Sequence, residues 1–298
     1  MKNPFEIVVL SGKGGTGKTS IAAAFAAMAA NAVFTDCDVD AADLHLVLSP
    51  DIYRHERFPS GNKAIVDYGK CTGCELCKDL CRFNALEFEE NKPIIDEFAC
   101  EGCGLCAIAC QTGAITIEKH ANNHIYFARC RFGTMIYGKL GMAEENSGRL
   151  VSKIRYYAKA TAVDLHAELI ITDGPPGIGC PVISSVTGTD LVVVVTEPTL
   201  SAWHDLERLI EMIRRFHIRV VVILNKYDLN TEITQTIEND LKSNNINVLG
   251  KIPYDESMIY ALLEGKTINE HNPDSLAAKE LVNIWNKLIS IAYESKNF

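Results

Sequence analysis

The chain has no uninterrupted apolar run approaching the roughly 18 to 20 residues that a membrane-spanning helix requires, so a bilayer-embedded protein is not expected. It also lacks a basic excess: 29 Lys and Arg stand against 38 Asp and Glu, a net charge of -9. Broad contact with a phosphate backbone depends on clustered cations that release counterions, so neither a nucleic-acid partner nor stable membrane association is expected. The opening MKNPFEIVVL has no basic flank, long apolar stretch or small-residue cleavage site, which makes the cytoplasm the default location. Cysteine, by contrast, is plentiful. Eight of the eleven cysteines fall at regular spacing between residues 71 and 110, and without an export signal they read as metal ligands rather than disulfides.

Continuous apolar runs at Phe5 to Leu10, Ala32 to Asp36, Leu169 to Thr172, Leu191 to Thr196, Arg219 to Asn225 and Ile246 to Ile252 read as strands. Because they do not alternate, they indicate a parallel sheet covered on both faces. Helices are expected at Lys18 to Ala30, Leu150 to Ala160, Ala202 to Phe216, Glu232 to Ser243 and Leu276 to Ala292. The fold class that follows is α/β, a doubly wound, mainly parallel sheet. The alternation stops between residues 60 and 121, where only short strand-like pieces occur, at Ala85 to Phe88 and Ala114 to Ile117. This segment is read as a small inserted α+β domain, with residues 1–59 and 122–298 forming one discontinuous domain. It holds an internal repeat: Cys71, Gly73, Leu76, Cys81, Ala85 and Phe88 recur 29 residues later as Cys100, Gly102, Leu105, Cys110, Ala114 and Ile117, which suggests pseudo-twofold symmetry.

After the first strand come Gly12, Lys13, Gly14, Gly15, Thr16, Gly17, Lys18, Thr19 and Ser20, followed by an Ala-rich helix. This is a phosphate loop in its strand-loop-helix context. Its glycines let backbone N–H groups curl round phosphates, Lys18 neutralises their charge, and the Thr19 hydroxyl can ligate Mg²⁺. A second lysine, Lys13, gives the loop the form GKGGTGKT. In that form it resembles the deviant Walker A motif of the MinD/ParA/Mrp and nitrogenase-iron-protein superfamily of P-loop ATPases. The resemblance extends to Asp36-Cys37-Asp38, which looks like switch I, and to Asp173-Gly174-Pro175-Pro176-Gly177, which looks like Walker B and switch II. It implies that Lys13 reaches across a dimer interface to the partner's ATP, that Asp38 orients the attacking water, and that Asp36 and Asp173 hold Mg²⁺ directly or through water. Lys13, Lys18, Asp38 and Asp173 are thus the catalytic candidates. Asn225 resembles the family's adenine-contacting asparagine, with a helix cap or turn as the alternative, and Pro253 falls where the family lines the base.

Cys71-x2-Cys74-x2-Cys77-x3-Cys81 and Cys100-x2-Cys103-x2-Cys106-x3-Cys110 match the spacing of bacterial two-cluster ferredoxins, in which the fourth cysteine of each run ligates the other cluster. One 4Fe-4S cluster then takes Cys71, Cys74, Cys77 and Cys110, and the other Cys100, Cys103, Cys106 and Cys81. The proline that usually follows each fourth cysteine is replaced by Arg82 and Gln111. Of the remaining cysteines, Cys37 and Cys130 read as packed thiols. Cys180 lies where the nitrogenase iron protein places a cluster ligand, but Asn146 occupies the segment that would supply a second one, so ligand and packed thiol both stay open. In the last helix Leu281, Trp285, Leu288 and Ala292 recur at helical spacing without a basic face, which favours packing on the sheet over membrane targeting.

These readings together describe an ATP-binding, ATP-hydrolysing iron-sulfur protein that couples nucleotide state to electron transfer through two 4Fe-4S clusters. The expected dimer is nucleotide-dependent, either a homodimer or a heterodimer with a related ATPase, and delivers to a redox or cluster-acceptor protein. The alternatives are an ATP-dependent cluster carrier or assembly factor, and a MinD/ParA-like positioning ATPase.

Overall fold

The computed structural model describes residues 3–59, 61–141 and 147–296. In chain order the elements begin with β1 (Phe5–Ser11), α1 (Lys18–Met28), β2 (Ala32–Asp36), α2 (Leu44–Leu48), β3 (Asp51–Phe58) and β4 (Gly61–Val66). The cysteine-rich stretch holds α3 (Leu76–Leu80), β5 (Leu86–Glu89), β6 (Lys92–Ile95), α4 (Leu105–Ala109) and β7 (Ile115–His120). Then come β8 (Asn123–Cys130), β9 (Gly133–Lys139), α5 (Ser147–Asp164), β10 (Leu169–Pro176), α6 (Cys180–Val186), β11 (Leu191–Thr196) and α7 (Leu200–Arg214). The chain finishes with β12 (Arg219–Asn225), α8 (Thr231–Ser243), β13 (Asn247–Ile252), α9 (Ser257–Leu263), α10 (Ile268–His271) and α11 (Leu276–Lys296).

Two compact units emerge. The first comprises residues 1–56, 125–139 and 148–298, and the second residues 57–124 and 140–147. The second unit therefore starts before residue 60, ends after residue 121 and takes in a further piece of chain.

The first unit is built on a sheet ordered β13-β12-β11-β1-β10-β2-β9-β8-β3. Every pairing from β13 to β9 is parallel, as the continuous apolar runs imply. Burial on both sides explains those runs. Phe5, Ile7 and Val9 of β1 face one way, into a core with Ile21 and Phe25 of α1 and Leu281 of α11. Val8 and Leu10 face the other way and join Val182 of α6, Leu206 of α7 and Ile237 of α8. The C-terminal helix packs back on this sheet: Leu281, Leu288 and Ala292 are buried, and the Trp285 ring lies 5.4 Å from Phe25. Among the described residues no helix is long and apolar enough to cross a membrane.

Three strands of this sheet escape the sequence reading, as do β4 and β6 of the second unit. β3, with the sequence DIYRHERF, is almost wholly exposed, so it carries charge where a central strand would carry aliphatic residues. β8 and β9 are joined by only Arg131 and Phe132 and mix small, polar and aromatic residues. Rings tie this end of the sheet together instead: His45, Tyr137, Tyr126 and His55 stack in series at 4.9 Å centroid spacing.

In the second unit the 29-residue repeat is written into the backbone. Gly73 and Gly102, Glu75 and Gly104, and Asn84 and Gly113 all adopt positive φ. β4 pairs with β7, and β6 with β5, in matching antiparallel registers: Val66 opposes Ile115 as Ile95 opposes Leu86. The hydrogen bond from Asp67 N–H to Ala114 C=O repeats as Asp96 to Ala85. This is the pseudo-twofold arrangement that the repeated cysteine runs suggest.

Candidate nucleotide site and cysteine array

The phosphate loop leaves the C-terminal end of β1 and enters α1 at Lys18, in the crevice where open α/β sheets bind ligands. Two close approaches fix its path. A side chain at Gly12 would run into Asp205 on α7, and one at Gly17, which has φ +92, would meet the amide of Asn225. Asn225 is buried at the end of β12, and its Nδ2 donates to Thr16 C=O at 2.8 Å. This residue braces the loop from beneath.

Lys18 and the three aspartates converge. Lys18 Nζ lies 2.6 Å from Asp173 Oδ1 and 3.7 Å from Asp38 Oδ2, and the Thr19 hydroxyl donates to Asp173 Oδ2 at 2.7 Å. Burial acts to lower the Lys18 pKa, but attraction to Asp173, Asp36 and Asp38 outweighs it and the net direction is upward. Asp36 is fully buried, and its carboxylate accepts the N–H groups of Asp38 and Leu44, each at 3.0 Å; burial and the nearby Asp173 hold its pKa well above the ordinary carboxylate range. It thereby pins the segment carrying Asp38. Burial raises Asp38 to about 6 against the pull of Lys18.

Lys13 turns towards its own chain. Its ammonium contacts Glu197 at 2.9 Å and donates to the hydroxyls of Thr199 and Ser201 at 3.2 Å. Glu197 also pairs with Lys226 at 2.9 Å, and Lys226 donates to Gly15 C=O at 3.0 Å. These ion pairs hold the Glu197 pKa low although burial opposes the shift. The sequence reading passed over Glu197 and Lys226. Both follow directly on strand ends, β11 and β12, and that position in a parallel sheet is the signal that would have found them.

A cavity of about 700 Å³ opens above the loop, lined among others by Gly14, Gly15, Lys18, Thr19, Ser20 and Asp38. Asn225, held against the loop, and Pro253 line it too, as do Tyr254 and Met258. Its size suits a small organic ligand. The donors fit a nucleotide with a hard cation: a cationic and glycine-lined end for phosphates, hydroxyl and carboxylate oxygens for Mg²⁺, and an apolar end for a base.

This crevice agrees with the relatives. Residues 7–268 match the model of the CobQ/CobB/MinD/ParA nucleotide binding domain. The chain belongs to that family. The uncharacterized protein MJ0578 of Methanocaldococcus jannaschii is 38% identical over 230 residues, 76% of this chain and 79% of its own length. The septum site-determining protein MinD of Pyrococcus horikoshii, solved with Mg-ADP, is 18% identical with a TM-score of 0.58, covering 97% of each chain. A ParA family ATPase from Chlorobium tepidum has 19% identity and a TM-score of 0.54, covering 95% of this chain and 98% of its own. At such identities these two structures bear on the fold alone. Family membership makes residues 7–268 a nucleotide binding domain, and the crevice with its phosphate loop fits that role.

The second unit gathers the cysteines. Cys81, Cys100, Cys103 and Cys106 line one pocket together with Phe83, Leu86 and Ile117. Cys77 is buried, which raises its pKa, and the nearby Cys74 and Cys71 push it in the same direction. Cys110 Sγ accepts the Ala114 N–H at 3.3 Å. Among the described residues no three His, Cys, Asp or Glu side chains converge on one point where a single metal ion could sit. A four-iron cubane makes a different demand, because each thiolate binds its own iron and the sulfurs stand further apart than ligands of one ion. An all-thiol donor set around an apolar pocket fits such a group.

Of the remaining cysteines, Cys37 is fully buried and Cys130 buried, with both thiols pushed up in pKa by burial. Cys180 is exposed at the start of α6, next to Gly148 at the start of α5. Asn146 lies outside the described residues.

Proposed function

We propose that the protein is an ATPase that couples its nucleotide state to electron transfer through two 4Fe-4S clusters. The observation that carries this reading is the gathering of Cys81, Cys100, Cys103 and Cys106 on one pocket: the quartet that crossed ligand sharing between two repeats calls for, drawn from both cysteine runs. Cys71, Cys74, Cys77 and Cys110 would hold the second cluster. Such clusters supply reversible one-electron chemistry.

The chain's own residues provide the rest. Lys18 and the loop amides hold the phosphates, Thr19 with Asp36 and Asp173 would hold Mg²⁺, and Asp38 orients water. Lys13 exchanges Glu197 for a phosphate when two nucleotide sites face each other in a dimer, formed with a second copy or a related ATPase. The cysteine unit is inserted between Asp38 and Asp173 in the chain, so segments that respond to the γ-phosphate flank it on both sides. A redox protein would receive the electrons.

Anaerobic purification tests this directly. Iron and sulfide should match two four-iron clusters per chain, and ATP should shift the protein to a dimer on a sizing column. Lys13→Ala should bind ATP but fail to dimerise, whereas Lys18→Ala should lose binding by two orders of magnitude or more. Chains that are iron-free after anaerobic reconstitution would leave only a nucleotide-binding protein. Pelleting with DNA or vesicles upon ATP addition would instead favour a positioning ATPase.

A further inference from the structure

Because the two halves of the cysteine unit are near copies, the positions at which the copies differ are where two clusters would be made unequal. One such position lies two residues beyond the fourth cysteine of each run. In one half it is Thr112, whose Oγ1 stands 3.5 Å from Cys110 Sγ. The same sulfur accepts the Ala114 N–H, so two donors are available to it. In the other half the equivalent residue is Phe83, which lines the pocket among Cys81, Cys100, Cys103 and Cys106.

We propose that Thr112 and Phe83 set the two clusters to different potentials, so that the first electron taken up resides with Cys71, Cys74, Cys77 and Cys110. This rests on the ligand assignment made above. A thiolate that accepts a hydroxyl and an amide N–H has part of its charge compensated, and that compensation favours the reduced state, which carries one more negative charge. Phe83 offers no donor and adds apolar surface on the other quartet, where the extra charge is poorly solvated. One neighbouring charge works against this order: half-buried Lys63 donates from Nζ to Cys100 C=O at 2.7 Å, beside the other quartet, and that carbonyl takes up part of its charge. Arg82 and Glu101, next to Cys81 and Cys100, are both exposed and opposite in sign, so their fields are screened and largely cancel. The exchange of hydroxyl for ring also lies outside the ligand set itself, so it can tune one cluster without dismantling it.

Potentiometric titration with dithionite, followed by electron paramagnetic resonance on the anaerobically purified full chain, decides the matter. The wild-type protein should show two separate reduction waves. Thr112→Val should lower the upper wave and leave the lower one in place, Thr112→Ser should restore it, and Phe83→Thr should raise the lower wave towards the upper. Unchanged waves in Thr112→Val with full iron content would overturn the role given to Thr112, as would a shift of both waves together. An iron and sulfide count short of two clusters in the wild-type chain would overturn the ligand assignment itself, a result distinct from the first and read before any titration.

Discussion

Burial raises the Asp38 carboxyl to a pKa of about 6 although Lys18 opposes the shift, and Asp173 and Asp40 add to the rise. The sign of its linkage follows. Between the ordinary value near 3.8 and about 6 the folded state holds a proton that the unfolded state has released, so this group's contribution to stability falls as pH rises through that window. Asp38→Asn removes the ionisation. Its melting temperature relative to the wild type should therefore climb from pH 4 to pH 6 and then level off; a flat difference would show that the carboxyl titrates normally. ATP hydrolysis by the variant should drop by two orders of magnitude or more with nucleotide affinity kept, as measured by phosphate release and equilibrium binding. At this scale the sequence was most legible in the backbone turns that glycine permits: the repeat of Gly73 at Gly102 is matched by positive φ at both. Glu197 was not legible, because a lone glutamate carries no pattern until β11 and the phosphate loop are brought together.

Elements were legible where the chain runs continuously aliphatic rather than simply where it is buried: β9, GTMIYGK, is largely buried and still went unread. β11, LVVVVT, is buried along its whole length and its bounds can be read from the sequence, whereas β3 presents charged residues to solvent and needs its neighbours in the sheet to be recognised. The ring column at that end offers a test of what replaces aliphatic burial. Tyr126 stacks on both Tyr137 and His55, and an aromatic pair contributes about 0.5–1.5 kcal/mol beyond its buried area. Tyr126→Leu should thus cost about 1–3 kcal/mol in chemical denaturation. Within the cysteine unit the paired glycines are the sensitive points. Gly73 has φ +72, and a Cβ there would stand 2.6 Å from the Asn91 carbonyl oxygen; Gly102 approaches Asn62, the equivalent residue, in the same way. Gly73→Ala combines left-handed strain, about 1–2 kcal/mol, with a backbone collision that the fold must move to relieve. It should lower the iron content after anaerobic reconstitution while ATP binding, which belongs to the other unit, survives. Loss of both together would mean that the units do not fold independently.

On the proposed function the whole molecule joins two kinds of chemistry through its covalent order, since the chain leaves the first unit after Glu56, returns at Ile125, leaves again after Lys139 and re-enters at Gly148 before reaching Asp173. Any rearrangement that nucleotide imposes on the segments around Asp38 and Asp173 is transmitted along chain that begins or ends at the cysteine unit. Coupling of this sort is a free energy shared between sites, and it is reciprocal. If ATP shifts the midpoint potentials relative to ADP, reduction of the protein must shift the ATP/ADP affinity ratio by the same free energy. Both halves of that cycle are measurable on the same anaerobic preparation, one by titration of potential with each nucleotide bound, the other by nucleotide binding to oxidised and dithionite-reduced protein. The expected outcome is a matched, non-zero shift in both. Potentials that are identical with ATP, ADP and no nucleotide, together with affinities indifferent to oxidation state, would separate the two sites energetically and reduce the insertion to a passenger on a nucleotide-binding fold.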